Sequence, residues 1–120
     1  MAKILIADDS VTEIELFKAA LNDLGHDLFT ASDGEETERA FYDNEPDLLI
    51  LDVIMPKKDG YQVCRNIRSR EEFKKTPIIM VSSRNRESDV YWGLKQGADV
   101  YMGKPFGTDD LVAKVRKYLG

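Results

Sequence analysis

Cysteine is nearly absent from this chain: Cys64 is the only one in 120 residues. A lone thiol excludes an internal disulfide framework and any cysteine-based metal cluster. Histidine is equally scarce. His26, the single one, follows a helical pattern that stops at Gly25 and reads as structural. No stretch approaches the roughly 18 consecutive apolar residues of a membrane span. The short apolar run near the N-terminus has too little basic character before it to be an export signal, so a cytoplasmic location without a membrane partner is expected. Basic residues are outnumbered, with 17 Lys and Arg against 22 Asp and Glu and a formal charge of −5. That balance argues against direct nucleic-acid binding and is neutral toward a protein partner. Repeats, linkers and low-complexity segments are lacking as well, so residues 1–120 read as one domain.

What is present is a regular alternation. Ile4–Ala7, Leu48–Leu51 and Ile78–Val81 are continuous apolar runs. Asp27–Ala31 is a weaker, more alternating run, as expected of an edge strand, and Val100–Met102 is a short one. Between them lie helical patterns at Val11–Leu24, Gly34–Asn44, Gly60 to about Arg70, Ser88–Gln96 and Thr108–Leu119. Five strands alternating with five helices imply an α/β fold, a doubly wound parallel sheet covered on both faces. In such open sheets ligands bind beyond the carboxyl ends of the strands, where strand order reverses.

Those ends carry the chemistry. The first strand runs into Asp8-Asp9, the third into Asp52, the fourth into Ser82-Ser83 and the fifth into Lys104-Pro105. Each has an ordinary reading of its own. Asp8, Asp9 or Ser10 can cap the following helix; Asp52 can be a turn residue before Pro56; Ser82 can cap the fourth helix; a lysine before proline is commonly an exposed loop residue. Their joint placement on one sheet edge favours a site. Clustered carboxylates are costly unless a cation sits among them, and an all-oxygen set without His or Cys suits Mg²⁺.

With these residues the chain resembles the receiver domains of two-component response regulators. The motifs are "ADDS", "LLILDVIMPKKDG", "IIMVSS" and "GADVYMGKPF", in this order. The resemblance implies the flavodoxin/CheY-like strand order 2-1-3-4-5. It implies that Asp52 accepts a phosphoryl group from a histidine kinase and that Asp9 ligates Mg²⁺ directly. Asp8 would hold the ion through water, the backbone carbonyl of Ile54 would add a ligand, Ser82 would bond a phosphoryl oxygen and Lys104 would pair with another. Such a protein catalyses its own phosphotransfer and autodephosphorylation without being an enzyme acting on a separate substrate. Ile54 and Arg84 stand where family members tune the approach of water to the aspartyl phosphate. Ile54 cannot orient that water, and Arg84 is expected to shield the phosphoryl group or pair with it. Pro105 suggests a cis peptide after Lys104.

The same resemblance implies a switch. Ser82 would move toward the phosphoryl oxygens and Tyr101 would turn inward into the space left. The surface that changes comprises the fourth helix, the last strand and the last helix, and a downstream protein target is expected there. By helical spacing, Val90, Leu94 and Gly97 fall on one side of the fourth helix, and Trp92 lies amid Ser88, Asp89, Lys95 and Gln96 on the other. Trp92 is therefore expected to be exposed and to contact the partner. "DVYWGLKQGADVYMGKPF" is similar to the PilH-like stand-alone subgroup, which points to type IV pilus motility or chemotaxis-like signalling. A chain ending directly after the closing helix fits a single-domain switch, as a monomer or a phosphorylation-dependent homodimer. The alternative is a receiver from a larger regulator with a DNA-binding or enzymatic output domain. A Mg²⁺-dependent phosphohydrolase fits less well, because it places its aspartates at the end of the first strand two residues apart. Here the pair is adjacent and Asp52 is separate.

Overall fold

The computed structural model describes residues 1–120, in which strands and α-helices alternate throughout. β1 spans Lys3–Ala7, α1 Val11–Leu21, β2 Asp27–Ala31, α2 Gly34–Asn44, β3 Leu48–Leu51, α3 Gly60–Arg68, β4 Ile78–Ser82, α4 Glu87–Gln96, β5 Val100–Gly103 and α5 Thr108–Leu119. Every strand pairing is parallel and the order is β2-β1-β3-β4-β5. Strand order therefore reverses between β1 and β3, beside the carboxyl ends that bear Asp8 and Asp52.

Side chains alternate across a strand, and here both sides are covered. Leu5, Ala7, Leu49, Leu51, Ile78 and Met80 pack with Phe41 of α2 and Val63, Cys64 and Ile67 of α3. Ile4, Ile6, Leu48, Ile50, Ile79 and Val81 pack with Phe17 and Leu21 of α1 and Leu111 and Val115 of α5. Two cores on opposite sides of one sheet leave no polar position in β3 or β4 before Ser82, hence their unbroken apolar runs. β2 sits at the edge, and only Ala31 is buried there.

Helix starts are written in short polar side chains. Ser10, Asp33 and Asp59 accept hydrogen bonds from the backbone N–H groups of Glu13, Glu36 and Gln62 at 3.2, 2.8 and 2.9 Å. Two helix ends fall short of the sequence pattern. α1 stops at Leu21 and gives way to a 3₁₀ turn, Asn22–Leu24, before Gly25 reverses the chain at φ 78°. α3 stops at Arg68, and a second 3₁₀ turn, Glu71–Phe73, tucks Phe73 against the core. In both places the final apolar side chain, half-buried Leu24 and buried Phe73, meets the core from a tighter turn, so helical spacing alone overruns the helix.

Gly60 opens α3 where the backbone crosses closest to the strand ends. A β-carbon at residue 60 would lie 2.2 Å from the Asp52 carbonyl oxygen. The Gly60 N–H instead donates to the Val53 carbonyl at 2.8 Å, closing the loop that follows Asp52. Gly60→Ala is expected to destabilise the fold by about 2 kcal/mol or more, as overpacking of rigid backbone does. Urea denaturation at equilibrium measures this; an unchanged midpoint would show that the loop yields freely.

Candidate functional site

The sheet ladder runs one residue past the strands and delivers the polar groups together. Asp8 N–H donates to the Ala31 carbonyl, Asp52 N–H to the Ala7 carbonyl and Lys104 N–H to the Ser82 carbonyl, each at 3.0 Å. Backbone pairing thus fixes four of the expected residues before any side chain is considered. Asp8, Asp52 and Ser82 are buried, whereas Asp9 is exposed. Carboxylate oxygens of Asp8, Asp9 and Asp52 lie within 4.8 Å of one another. The donors are all hard oxygens. His26 is engaged at the opposite end of the sheet, accepting from the Ala2 N–H at 3.0 Å. Such a set fits Mg²⁺ and does not suit zinc or copper.

Lys104 holds the cluster. Its ammonium lies 2.7 Å from Asp8 Oδ2, 2.8 Å from Asp52 Oδ2 and 3.3 Å from a Glu13 carboxylate oxygen, with 13% of its side chain exposed. Burial by itself depresses a lysine, but the hydrogen bonds that this ammonium donates to Asp52 and Asp8 outweigh it and raise it above the ordinary range. Asp8 is shifted upward too. Burial is the main cause and the nearby Asp52 charge adds to it, against the opposing pull of Lys104 and the Ser10 N–H. The Lys104–Pro105 peptide is cis. The remaining oxygens are occupied: Asp8 Oδ1 accepts from Ser10 N–H at 2.9 Å and Asp52 Oδ1 from Ile54 N–H at 3.1 Å. The Ile54 side chain stands out into solvent at 47% exposure.

A second group of polar side chains surrounds the end of β4. The Ser82 hydroxyl accepts from Arg84 N–H at 3.2 Å. The Arg84 guanidinium, expected to shield or pair with a phosphoryl group, has its ion pair elsewhere. It lies 3.3 Å from Asp89 in the first turn of α4 and 5.9 Å from the Tyr61 ring centroid. The opposite charge of Asp89 and the aromatic face draw it to the α3–α4 side. The Tyr61 hydroxyl donates to the Asp89 carbonyl at 3.1 Å, and the Tyr101 hydroxyl donates to the Arg84 carbonyl. The half-buried Tyr101 ring packs on Met80 and Gly93. Burial, followed by the neighbouring Tyr61 hydroxyl, raises the Tyr101 phenol above its usual range.

Trp92 lies on the open side of α4 with 48% of its surface exposed. The inner side differs from the expected one. Leu94 is 46% exposed and Tyr91 62%. Gly93 is the buried contact of this helix, with Asp89 and Val90 half-buried beside it. A helix packed through a glycine sits close to the sheet, and Leu94 is left on its exposed side.

The polar strand ends, two-sided core and reversed strand order match a family of known proteins. Residues 4–116 fit the family model of the response regulator receiver domain. A protein of Chloroflexus aurantiacus J-10-fl assigned as a response regulator is similar in structure, with TM-score 0.93, 36% identity and coverage of 98% of this chain and 97% of that one. Chemotaxis protein CheY4 of Vibrio cholerae follows at TM-score 0.90 and 30% identity, with 98% of each chain covered. The BeF3-activated N-terminal receiver domain of Klebsiella pneumoniae RstA gives TM-score 0.90 at 28% identity, over 98% and 97% of the two chains. The chain belongs to the receiver domains of two-component response regulators, a family of phosphoacceptors.

Glu13, Gly93 and Tyr61 were not legible as site residues. Glu13 reads in sequence as a helix-capping glutamate three residues after Ser10. Gly93 reads as a mild helix breaker. The position of Tyr61, after "KKDG", gives no sign that its hydroxyl reaches α4.

Removing the cation tests what it does for the cluster. A raised lysine contributes its full stabilisation below the unfolded value, so the Lys104 contribution is complete at pH 7. Lys104→Met keeps the aliphatic stem and leaves buried carboxylates unpaired. The metal-free variant is expected to lose about 3 kcal/mol at pH 7. Mg²⁺ should restore part of this, and acidification toward the carboxylate range should shrink it. Urea titrations at neutral and acid pH check this; equal stability of variant and wild type would contradict it.

Proposed function

We propose that this receiver is a phosphorylation switch that takes a phosphoryl group from a histidine kinase onto Asp52 and signals through α4, β5 and α5 to a protein target. The observation that carries the reading is the convergence of Asp52, Asp8, Asp9, Ser82 and Lys104 on one sheet edge.

In the proposed reaction the Asp52 carboxylate attacks the phosphorus of the kinase phosphohistidine. An O–P bond forms as the N–P bond breaks, and the electron pair leaves with the imidazole nitrogen. Such a transfer asks mainly for positioning and charge neutralisation. Asp8, Asp9, Asp52 and the Ile54 carbonyl would hold Mg²⁺, which supplies neutralising charge to the carboxylates and the transferred oxygens when bound. Lys104, already on Asp52, needs only a short reach to a phosphoryl oxygen there. Ser82, at the end of β4, donates its hydroxyl to another. Ile54 offers water no hydrogen bond, and Arg84 is engaged with Asp89, so phosphoryl lifetime is assigned first to Ile54 and to Arg84 only once it is released.

Incubation with acetyl phosphate and Mg²⁺ should add one hydroxylamine-labile phosphoryl group to the wild type and none to Asp52→Ala, read by intact mass. Labelling of Asp52→Ala at the wild-type level, or none in either, would reject the reading.

Phosphorylation brings about −1.5 to −2 charges to Asp52, and the switch couples them to α4. We assign the change to the population of the rotamer in which the Tyr101 hydroxyl reaches the Arg84 carbonyl, and to the β4–α4 loop that this contact holds. Gly93 makes room for the ring: a β-carbon there would meet Tyr101 Cδ2 at 2.6 Å and Met80 Sδ at 2.8 Å. Trp92, next to Gly93 and the only tryptophan, reports on the helix. Addition of Mg²⁺ and beryllofluoride should change its emission in the wild type, and Gly93→Ala should reduce that change while still accepting phosphate. A variant that keeps the full emission change would separate Gly93 from the switch. The likeness of Asp89–Phe106 to the PilH-like subgroup supports type IV pilus motility as the pathway.

A further inference from the structure

We propose that Glu13 sets the charge balance of the site through Lys104, drawing the ammonium from Asp8 and Asp52 in favour of the metal and competing for it with the phosphoryl group. This rests on the reading of the site given above. Ser10-Val11-Thr12-Glu13 has the pattern of a capping box, in which the glutamate returns to the serine N–H. Here that N–H is taken. Ser10 donates to Asp8 Oδ1 at 2.9 Å, while the Ser10 hydroxyl accepts from Glu13 N–H at 3.2 Å. The helix is capped from one side only, and the Glu13 carboxylate is released from capping. It lies 3.3 Å from Lys104 Nζ with 23% of its side chain exposed.

An ammonium has three protons to donate. Lys104 has three carboxylate neighbours, Asp8 at 2.7 Å, Asp52 at 2.8 Å and Glu13 at 3.3 Å. Glu13 is the one member of this trio outside the set that would hold Mg²⁺. When Asp8 and Asp52 share their charge with a divalent ion, their hold on Lys104 weakens and that of Glu13 does not. Glu13 thereby has two opposed effects. It attracts the metal and draws Lys104 away from the carboxylates that bind it. It also repels an incoming phosphoryl group and competes with it for the same ammonium. Removing the charge should weaken the first ligand and strengthen the second. A role in capping or packing alone moves neither affinity, or moves both the same way.

Glu13→Gln tests this beside Glu15→Gln, which makes the same change of net charge on the same helix at a side chain 66% exposed and only 4.0 Å from Lys18. Mg²⁺ affinity is read by calorimetry, and beryllofluoride affinity at saturating Mg²⁺ by amide chemical-shift titration. In Glu13→Gln the Kd for Mg²⁺ should rise about fourfold and the Kd for beryllofluoride should fall by a similar factor, the order of one unit charge acting at close range through water-like screening. Glu15→Gln should move neither appreciably. A Glu13→Gln variant that behaves like Glu15→Gln, or whose two affinities shift in the same direction, overturns the proposal and leaves the proposed function standing. A wild type that binds neither Mg²⁺ nor beryllofluoride overturns both.

Discussion

One ammonium among buried carboxylates is the constraint on which the site depends. Asp8 and Asp52 are fixed by sheet hydrogen bonds at the ends of adjacent strands, so they cannot move apart to relieve their repulsion. Burial raises that cost, because the charged form of each loses water. Lys104, delivered from the end of β5, resolves the conflict at 2.7 and 2.8 Å. The resolution is partial: one positive charge faces Asp8, Asp52, Glu13 and the nearby Asp9. A cluster left this negative has standing affinity for a divalent cation. A cation that relieved it would also free the lysine for a phosphoryl group, as the proposed function requires. In this account the electrostatic strain of the resting state is what couples metal, lysine and phosphoryl chemistry.

A second constraint ties the site to the surface. Ser82 and Arg84 stand two residues apart at the end of β4, and the Ser82 hydroxyl and the Arg84 N–H are bonded to each other. The Arg84 carbonyl receives the Tyr101 hydroxyl, and the Arg84 guanidinium reaches Asp89 of α4. Bonded groups thus connect Ser82 to the loop, to an aromatic of β5 and to the first turn of α4, the route the proposed switch would use. Tyr61 adds a link from α3 to the same turn. The same helix exposes Tyr91, Trp92 and Leu94.

The fold was legible because burial on both faces of a parallel sheet leaves an unmistakable mark. Leu48–Leu51 and Ile78–Val81 have no polar position, and the first polar residue after each marks a strand end. The carboxylates, Ser82 and Lys104 were legible for the same reason, since topology alone brings such ends together. Side-chain pairings that depend on competition were not legible. Glu13 was not singled out, because the sequence does not say that Asp8 takes the Ser10 N–H and leaves the Glu13 carboxylate to Lys104. The pairing of Arg84 with Asp89 and its approach to the Tyr61 ring were not legible either, because both need the turn into α4. Leu94 was assigned inward from helical spacing, which cannot foresee that a glycine would form the contact and rotate the apolar side toward solvent.

The most direct test of the central account follows the ammonium itself. Heteronuclear NMR can detect the Lys104 Nζ group, assigned by its loss in Lys104→Arg, in the metal-free, Mg²⁺-bound and Mg²⁺–beryllofluoride-bound protein. A lysine held by buried carboxylates should give a shifted, slowly exchanging signal in the metal-free protein. That signal should move on adding Mg²⁺ and move again, still protected from exchange, on adding beryllofluoride. A Lys104 signal indistinguishable from those of surface lysines, or one unchanged across the three states, would contradict the coupling of lysine, metal and phosphoryl group.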